Sequence, residues 1–216
     1  MERDSWNEPY RFSNDMTCND ILYSRTDRPF GLSWEEWTIR WWKWVLSIPK
    51  EKNPGFDSTG ERSYFPQQFQ DDNVIFLVGT FGGTVERTYT IPKGKPVLLP
   101  IINYTFCSKD EASVLTDEDL QIRAQSDIND IVEKQALIDG KSILEIEKYR
   151  VKTKAFDIVY PENNVFGLSK GPTRAVSDGY WIFLKPMQVG SHNIYVAGSC
   201  SSGKTKLDVT LHLSVS

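Results

Sequence analysis

The sequence predicts a mainly β chain: an antiparallel β-sandwich of jelly-roll type, with a Trp-rich helix near its start and a second helix in a long connection. Three observations carry this expectation. Runs of period-two alternation recur, clearest at the end, where Leu207, Val209, Leu211, Leu213 and Val215 alternate with Asp208, Thr210, His212 and Ser214. Turn residues separate these short runs. No regular strand–helix alternation runs through the chain, which argues against a doubly wound α/β fold.

The elements follow in order. Residues 1–30 are polar with scattered aromatics and no period. They read either as an extended arm that wraps the domain or a partner, or as a disordered tail. Residues 31–216 are expected to form one β-rich domain with two helices. In GLSWEEWTIRWWKWVLSIPK, Ser33 and Glu36 have capping-box spacing, and Pro49 stops the helix, which is expected over 33–47. Trp34, Trp37, Trp41, Trp44 and Ile48 make one apolar stripe at 3,4 spacing. Residues 50–72, with Pro54, Gly55, Gly60 and Pro66, read as a long loop. NVIFLVGT and TVERTYTIP read as strands joined through FGG, and KPVLLPIIN as the next. A second helix is expected over about 117–135, with acids at its start and Leu120, Ala124, Ile128, Ile131 and Val132 on its apolar face. ALIDGKSIL reads as a hairpin turning at Asp139–Gly140. Further strands are expected near 147–153, 155–160, 180–185, 192–198 and 205–215.

Composition excludes several classes. The formal net charge of -4 lacks the basic footprint of a nucleic-acid binder. The longest apolar run, VLLPII, is far too short to span a membrane. The charged start, MERDSWNEPYRF, lacks the apolar core of a signal peptide. The chain is therefore expected in the cytoplasm if Met1 is its native start, and exported if a signal peptide has been removed. Cys18, Cys107 and Cys200 form no disulfide framework, and His192 and His212 are too few for a His-rich zinc site. No cofactor or metal is expected.

One motif points elsewhere. GSCSSGKT, residues 198–205, fits the phosphate-binding pattern G-x-x-x-x-G-K-[ST]. That loop works only where a helix follows, to aim its amides at phosphate. Here an alternating strand follows and the chain ends, so the segment is expected to be a hairpin turn, not a nucleotide site.

Several stretches together carry a resemblance: WEEWTIRWWKWVLSIP with NPGFDSTG, FLVGTFGGTVERTYTIPKGK with LLPIIN, and SDGYWIFLKP with GSHNIYVAG. In this order they resemble a prokaryotic family of small β-rich proteins, many of them apparently exported and without an established activity. The resemblance spans about residues 31–199 and implies one compact β-rich domain. It supplies no catalytic residues. Members carry Cys close to positions 62 and 89, a pair that export would allow to form; Arg62, Ser63, Thr88 and Tyr89 stand here.

For function, the Trp helix has three readings: core packing against a sheet, an aromatic platform for sugars or other flat ligands, or a docking face for a partner or membrane interface. GTFGG reads as a tight turn, or as a cradle of amides for an anion. Asp178 in SDGYW reads as a turn cap at a strand start, or as a ligand carboxylate beside Trp181. The sequence thus points to a non-catalytic binding module for a glycan, a small metabolite or a protein partner. Trp34, Trp37, Trp41 and Trp181 would stack on the ligand and Asp178 would anchor it. Two alternatives stand beside it. One is an enzyme using Cys107, His192, Glu86 or Asp178 as nucleophile or acid–base groups, although His192 shares parity with buried positions and reads first as a core residue. The other is a homo-oligomer subunit held by the N-terminal arm.

Overall fold

The alternating runs form strands, and the strands make a two-sheet sandwich. The computed structural model describes residues 19–57, 73–109 and 115–216. Residues 1–18 of the expected arm, with Cys18, and residues 58–72 of the expected loop, with Arg62 and Ser63, lie outside the described residues.

The first sheet has the order β1 (Ile75–Phe76), β3 (Val97–Cys107), β8 (Gly171–Leu184), β6 (Arg150–Lys152), with β7 (Phe156–Tyr160) also paired to β8. The second has the order β2 (Gly83–Ile91), β10 (Lys206–Val215), β9 (Gly190–Cys200), β4 (Ile131–Ile138), β5 (Lys141–Ser142). Two pairs, β1–β3 and β2–β10, are parallel, so the sandwich is mixed and not purely antiparallel. Alternation reports which face of a strand is buried, but says nothing about the direction of its neighbour.

Helix α1 (Trp34–Leu46) covers one face of the first sheet. It begins with the reciprocal cap expected: Ser33 Oγ accepts the Glu36 amide at 3.2 Å, and the Glu36 carboxylate accepts the Ser33 amide at 2.7 Å. Its indoles pack on that face edge-on: Trp34 and Trp37 against Phe183, and Trp41 against Trp181. Four indole N–H groups find acceptors, which makes their burial tolerable. Trp34 donates to Ser24 O, Trp37 to Pro29 O, Trp41 to Leu77 O and Trp42 to Ser177 Oγ, at 2.6 to 3.0 Å. The opposite face of the sheet meets the second sheet, where Ile102 packs so closely on Gly198 that a Cβ there would sit 3.0 Å from it.

The described end of the arm lies on its own chain. Leu22 bridges to Leu184, and the Tyr23 amide donates to Phe183 O. Helix α2 (Asp117–Asn129) starts with the Thr116–Asp119 capping box and packs Leu120 and Ala124 on Val176. It ends earlier than expected. Ile131 and Val132 belong to β4, because Ile131 pairs with Cys200 of β9. The hairpin at Asp139–Gly140 forms as expected, with both residues at positive φ (51° and 75°). β8 starts nine residues before its expected position near 180. It is buried on both faces from Ala175 onward, which removes the alternation that would mark it. The strand expected near 147–153 is only half formed: a 3-10 turn, Ile146–Tyr149, precedes the short β6. β1 is two residues long, because the chain leaves the first sheet after it and crosses toward β2.

Candidate functional site

The early departure of β1 opens a cleft. β1 pairs only with Val97 and Leu98, while β3 continues to Cys107 with β8 on one side. The residues from Pro100 to Thr105 line a cavity of about 200 Å³. Its other walls are Trp41 and Trp42, the segment Val78–Gly82, Phe166, and Leu207 of the second sheet.

The direction of the β3 main chain there follows from its pairing. The Ser108 amide donates to Arg174 O, and the register runs unbroken back to Ile102 opposite Tyr180. In an antiparallel ladder alternate residues turn both main-chain groups to the partner. Ile102, Tyr104 and Phe106 therefore face β8, while Asn103 and Thr105 turn their N–H and C=O groups to the other edge. Among the described residues no main-chain group pairs with them there. The Asn103 side chain adds a buried Nδ2 with no hydrogen-bond partner. Gly179 is opposite Asn103 and must be glycine, since a Cβ would lie 2.4 Å from Asn103 Cβ and 2.7 Å from its Cα.

Phe81 and Phe166 line the mouth, and Phe56 joins them from outside. Phe56 stacks on Phe81 with centroids 4.9 Å apart, and Phe81 meets Phe166 edge-on at 6.0 Å. All three are well exposed, at 38, 38 and 42%. Each sits on a loop tied by a buried polar side chain. Asn53 donates to Val45 O at 2.7 Å and accepts the Gly55 amide at 2.9 Å, which fixes the turn carrying Phe56. Arg87 donates to Asp57 O, Val78 O and Gly79 O at 2.7, 3.0 and 2.5 Å, which fixes the segment leading to Phe81. Asn164 donates to Leu168 O and accepts the Phe166 and Leu168 amides, which fixes the loop of Phe166. Lys50 Nζ lies 5.1 Å above the Phe56 ring.

The residues expected from sequence fall elsewhere. Trp34, Trp37, Trp41 and Trp181 are no more than 2% exposed, so α1 offers the core and not a solvent-facing platform; of these, Trp41 lines the cleft. Asp178 is not a turn cap at a strand start. It lies within β8, is buried, and accepts from Arg150 Nε at 2.9 Å and Nη2 at 2.6 Å. That hydrogen-bonded pairing holds the Arg150 guanidinium above its ordinary value, against burial, which lowers it. GTFGG forms a turn into β2: Gly82 and Gly83 take positive φ, and the Gly82 amide donates to Thr80 Oγ1. GSCSSGKT joins β9 to β10 as a hairpin. Its Thr205 amide lies 3.1 Å from Cys200 Sγ. The Ser202 hydroxyl, with that amide second, holds the Cys200 thiol below its ordinary value.

The acid–base and nucleophile candidates are dispersed. Cys107 is buried beside the Tyr160 hydroxyl, with Sγ 3.7 Å from it. His192 is not a core residue but sits half-buried at the start of β9. Its Nδ1 is 2.7 Å from Asp139 Oδ2 and its Nε2 is 2.9 Å from Gln188 O. Burial pulls this imidazole down, but the Asp139 carboxylate and the Gln188 carbonyl outweigh it and hold it above its ordinary value. Glu86 lies on the outer face of β2, 2.6 Å from His212 Nε2. Among the described residues, none of Cys107, His192, Glu86 and Asp178 hydrogen-bonds another of the four. Nor do the described residues hold three or more His, Cys, Asp or Glu side chains placed to bind a metal. No described helix is long and apolar enough to cross a membrane.

Sequence reasoning missed the cleft. Phe56, Phe81 and Phe166 stand in loops with no period to betray them. A signal was available: NPGF and NVFG each place an asparagine, a strong turn former, just before an aromatic outside any α-helix or strand.

No family model matches the chain, and no curated protein matches it. Two solved structures are similar over part of it. One, PbICP-C in complex with falcipain-2, is 13% identical, covers 67% of this chain and 99% of that one, and has a TM-score of 0.26. The other, the solution structure of amebosin, is 10% identical, covers 62% of this chain and 96% of that one, and has a TM-score of 0.21. Likenesses this slight carry nothing over to the fold or the site.

Proposed function

We propose that the chain is a non-catalytic interaction module that takes a polypeptide partner at the Phe-rimmed cleft. One observation carries the reading: three exposed phenylalanines cluster at one mouth, Phe81 and Phe166 lining it and Phe56 stacked on Phe81, and each is held by a buried polar side chain. Exposed apolar clusters cost solubility and mark interaction surfaces. Rings already fixed in place lose little freedom when a partner covers them.

The chemistry favours a polypeptide over the other ligand classes. A glycan site needs several polar groups converging beside its aromatic stack. Here the rim is phenylalanine, which has no polar tip, and the cleft walls are mostly apolar. The cavity of about 200 Å³ suits one ring-sized group, since an enclosed apolar cavity of ~150 Å³ already holds benzene. The rim extends past what such a group would fill, so the occupant is larger than the cavity. The dispersal of Cys107, His192, Glu86 and Asp178 gives no competing support to an enzyme.

The test is selection of random peptides displayed on phage against the full chain, followed by anisotropy titration of the selected peptides. Binding should fall at least about tenfold on the double variant Phe81→Ser, Phe166→Ser. Failure to select any binder, or equal binding to the double variant, would overturn the reading.

A further inference from the structure

The geometry points to β-strand addition as the mode of recognition: an extended segment of the partner pairs with the open edge of β3 at Asn103 and Thr105. This rests on the cleft being the binding surface, and adds how the occupant lies in it.

Three features support it. First, among the described residues nothing pairs with the edge. β1 ends at Phe76, opposite Leu98, and the main-chain groups of Asn103 and Thr105 turn toward the cleft those residues line. An exposed edge presents a template of donors and acceptors to another strand. Second, the buried Asn103 Nδ2 has no partner, and a buried donor left unmade is costly. A main-chain carbonyl entering the cleft would satisfy it. Third, the edge is recessed. Phe81 and Phe166 stand at its mouth, so a second edge strand of a folded sheet cannot simply slide alongside. A single extended segment can enter, with its main chain on β3 and a side chain among the rings. Strand addition divides the work in this way: main-chain bonds give affinity, and pockets for alternate side chains give specificity.

The mode has a signature that side-chain docking lacks. In an extended segment paired on one edge, every second residue bonds to β3. N-methylating the selected peptides one residue at a time should therefore weaken binding with period two, by roughly three- to tenfold at the bonded positions. In the complex, the Asn103 and Thr105 amides should become protected from hydrogen exchange.

The failures separate cleanly. Suppose the peptides lose affinity on Phe81→Ser, Phe166→Ser, yet N-methylation shows no period and the two amides stay unprotected. The cleft then stands as the binding surface and strand addition is overturned. If the double variant binds normally, both readings fall. A concentration-dependent dimer of the chain that dissolves in the double variant would make a second copy the occupant, which also overturns the inference.

Discussion

Replacing Arg87 with methionine keeps most of the side-chain volume and removes every donor. Arg87 is 2% exposed and ties together Asp57, Val78 and Gly79, which stand at the roots of two rim loops. Three hydrogen bonds from a charged donor are worth about 1.5–3 kcal/mol each, so roughly 5–9 kcal/mol is lost. The variant also no longer buries a cation, which returns several kcal/mol. The net destabilisation comes to about 3 kcal/mol. At an m-value of about 2 kcal/mol/M, the urea midpoint should fall by roughly 1.5 M. Arg87→Lys keeps the charge but offers one nitrogen to acceptors on two separate segments, so it should recover only part of the loss. Amide exchange in Val78–Gly82 should quicken in both variants. A methionine variant as stable as the parent, or a lysine variant fully restored, would show that the guanidinium fork does not hold the rim.

Three further outcomes follow from the same geometry. Gly179→Ala drives a Cβ into the Asn103 backbone, and β3 must shift; the cost should be about 3 kcal/mol, lowering Tm by roughly 6–12 °C, and an unchanged Tm would refute the close approach. Asp178→Asn breaks a pair in which the carboxylate is buried, and should cost about 3 kcal/mol in urea unfolding; adding Arg150→Met should recover part of it, and simple additivity would deny the coupling. The raised pKa of His192 means that its bonds to Asp139 and Gln188 stabilise the fold fully below the unfolded value of about 6.5, and lose that effect as pH rises through the higher folded value. The stability gap between parent and His192→Gln should therefore be largest near about pH 5.5 and shrink toward about pH 9; a gap that grew with pH would contradict this.

The sequence made some of this legible and hid the rest for physical reasons. Half-buried strands such as β2, β7 and β10 announce themselves, because alternate residues meet water. The Ser33 cap was visible, since a cap is a local contract between residues three apart, and the acids that follow the Thr116 cap marked the start of the second helix. β8 stayed mostly hidden, because a strand covered on both faces has no alternation to show. The Trp stripe was legible as a helix, and core packing was one of its three readings. Which one holds depends on Ser24, Pro29 and Leu77 accepting the indole protons of Trp34, Trp37 and Trp41, a fact of tertiary structure. The cleft was least legible. It exists because β1 ends after two residues and, among the described residues, no other strand takes its place beside β3; no local pattern encodes the length of a neighbouring strand.

Among the described residues, β3 leaves the edge at Asn103 and Thr105 open inside the Phe-rimmed cleft. Residue-resolved amide exchange on the free, full chain tests it most directly. The account predicts slow exchange at Tyr104 and Phe106, which bond to β8, and fast exchange at Asn103 and Thr105 between them. Equal protection at all four would mean the edge is already paired, and would contradict the account.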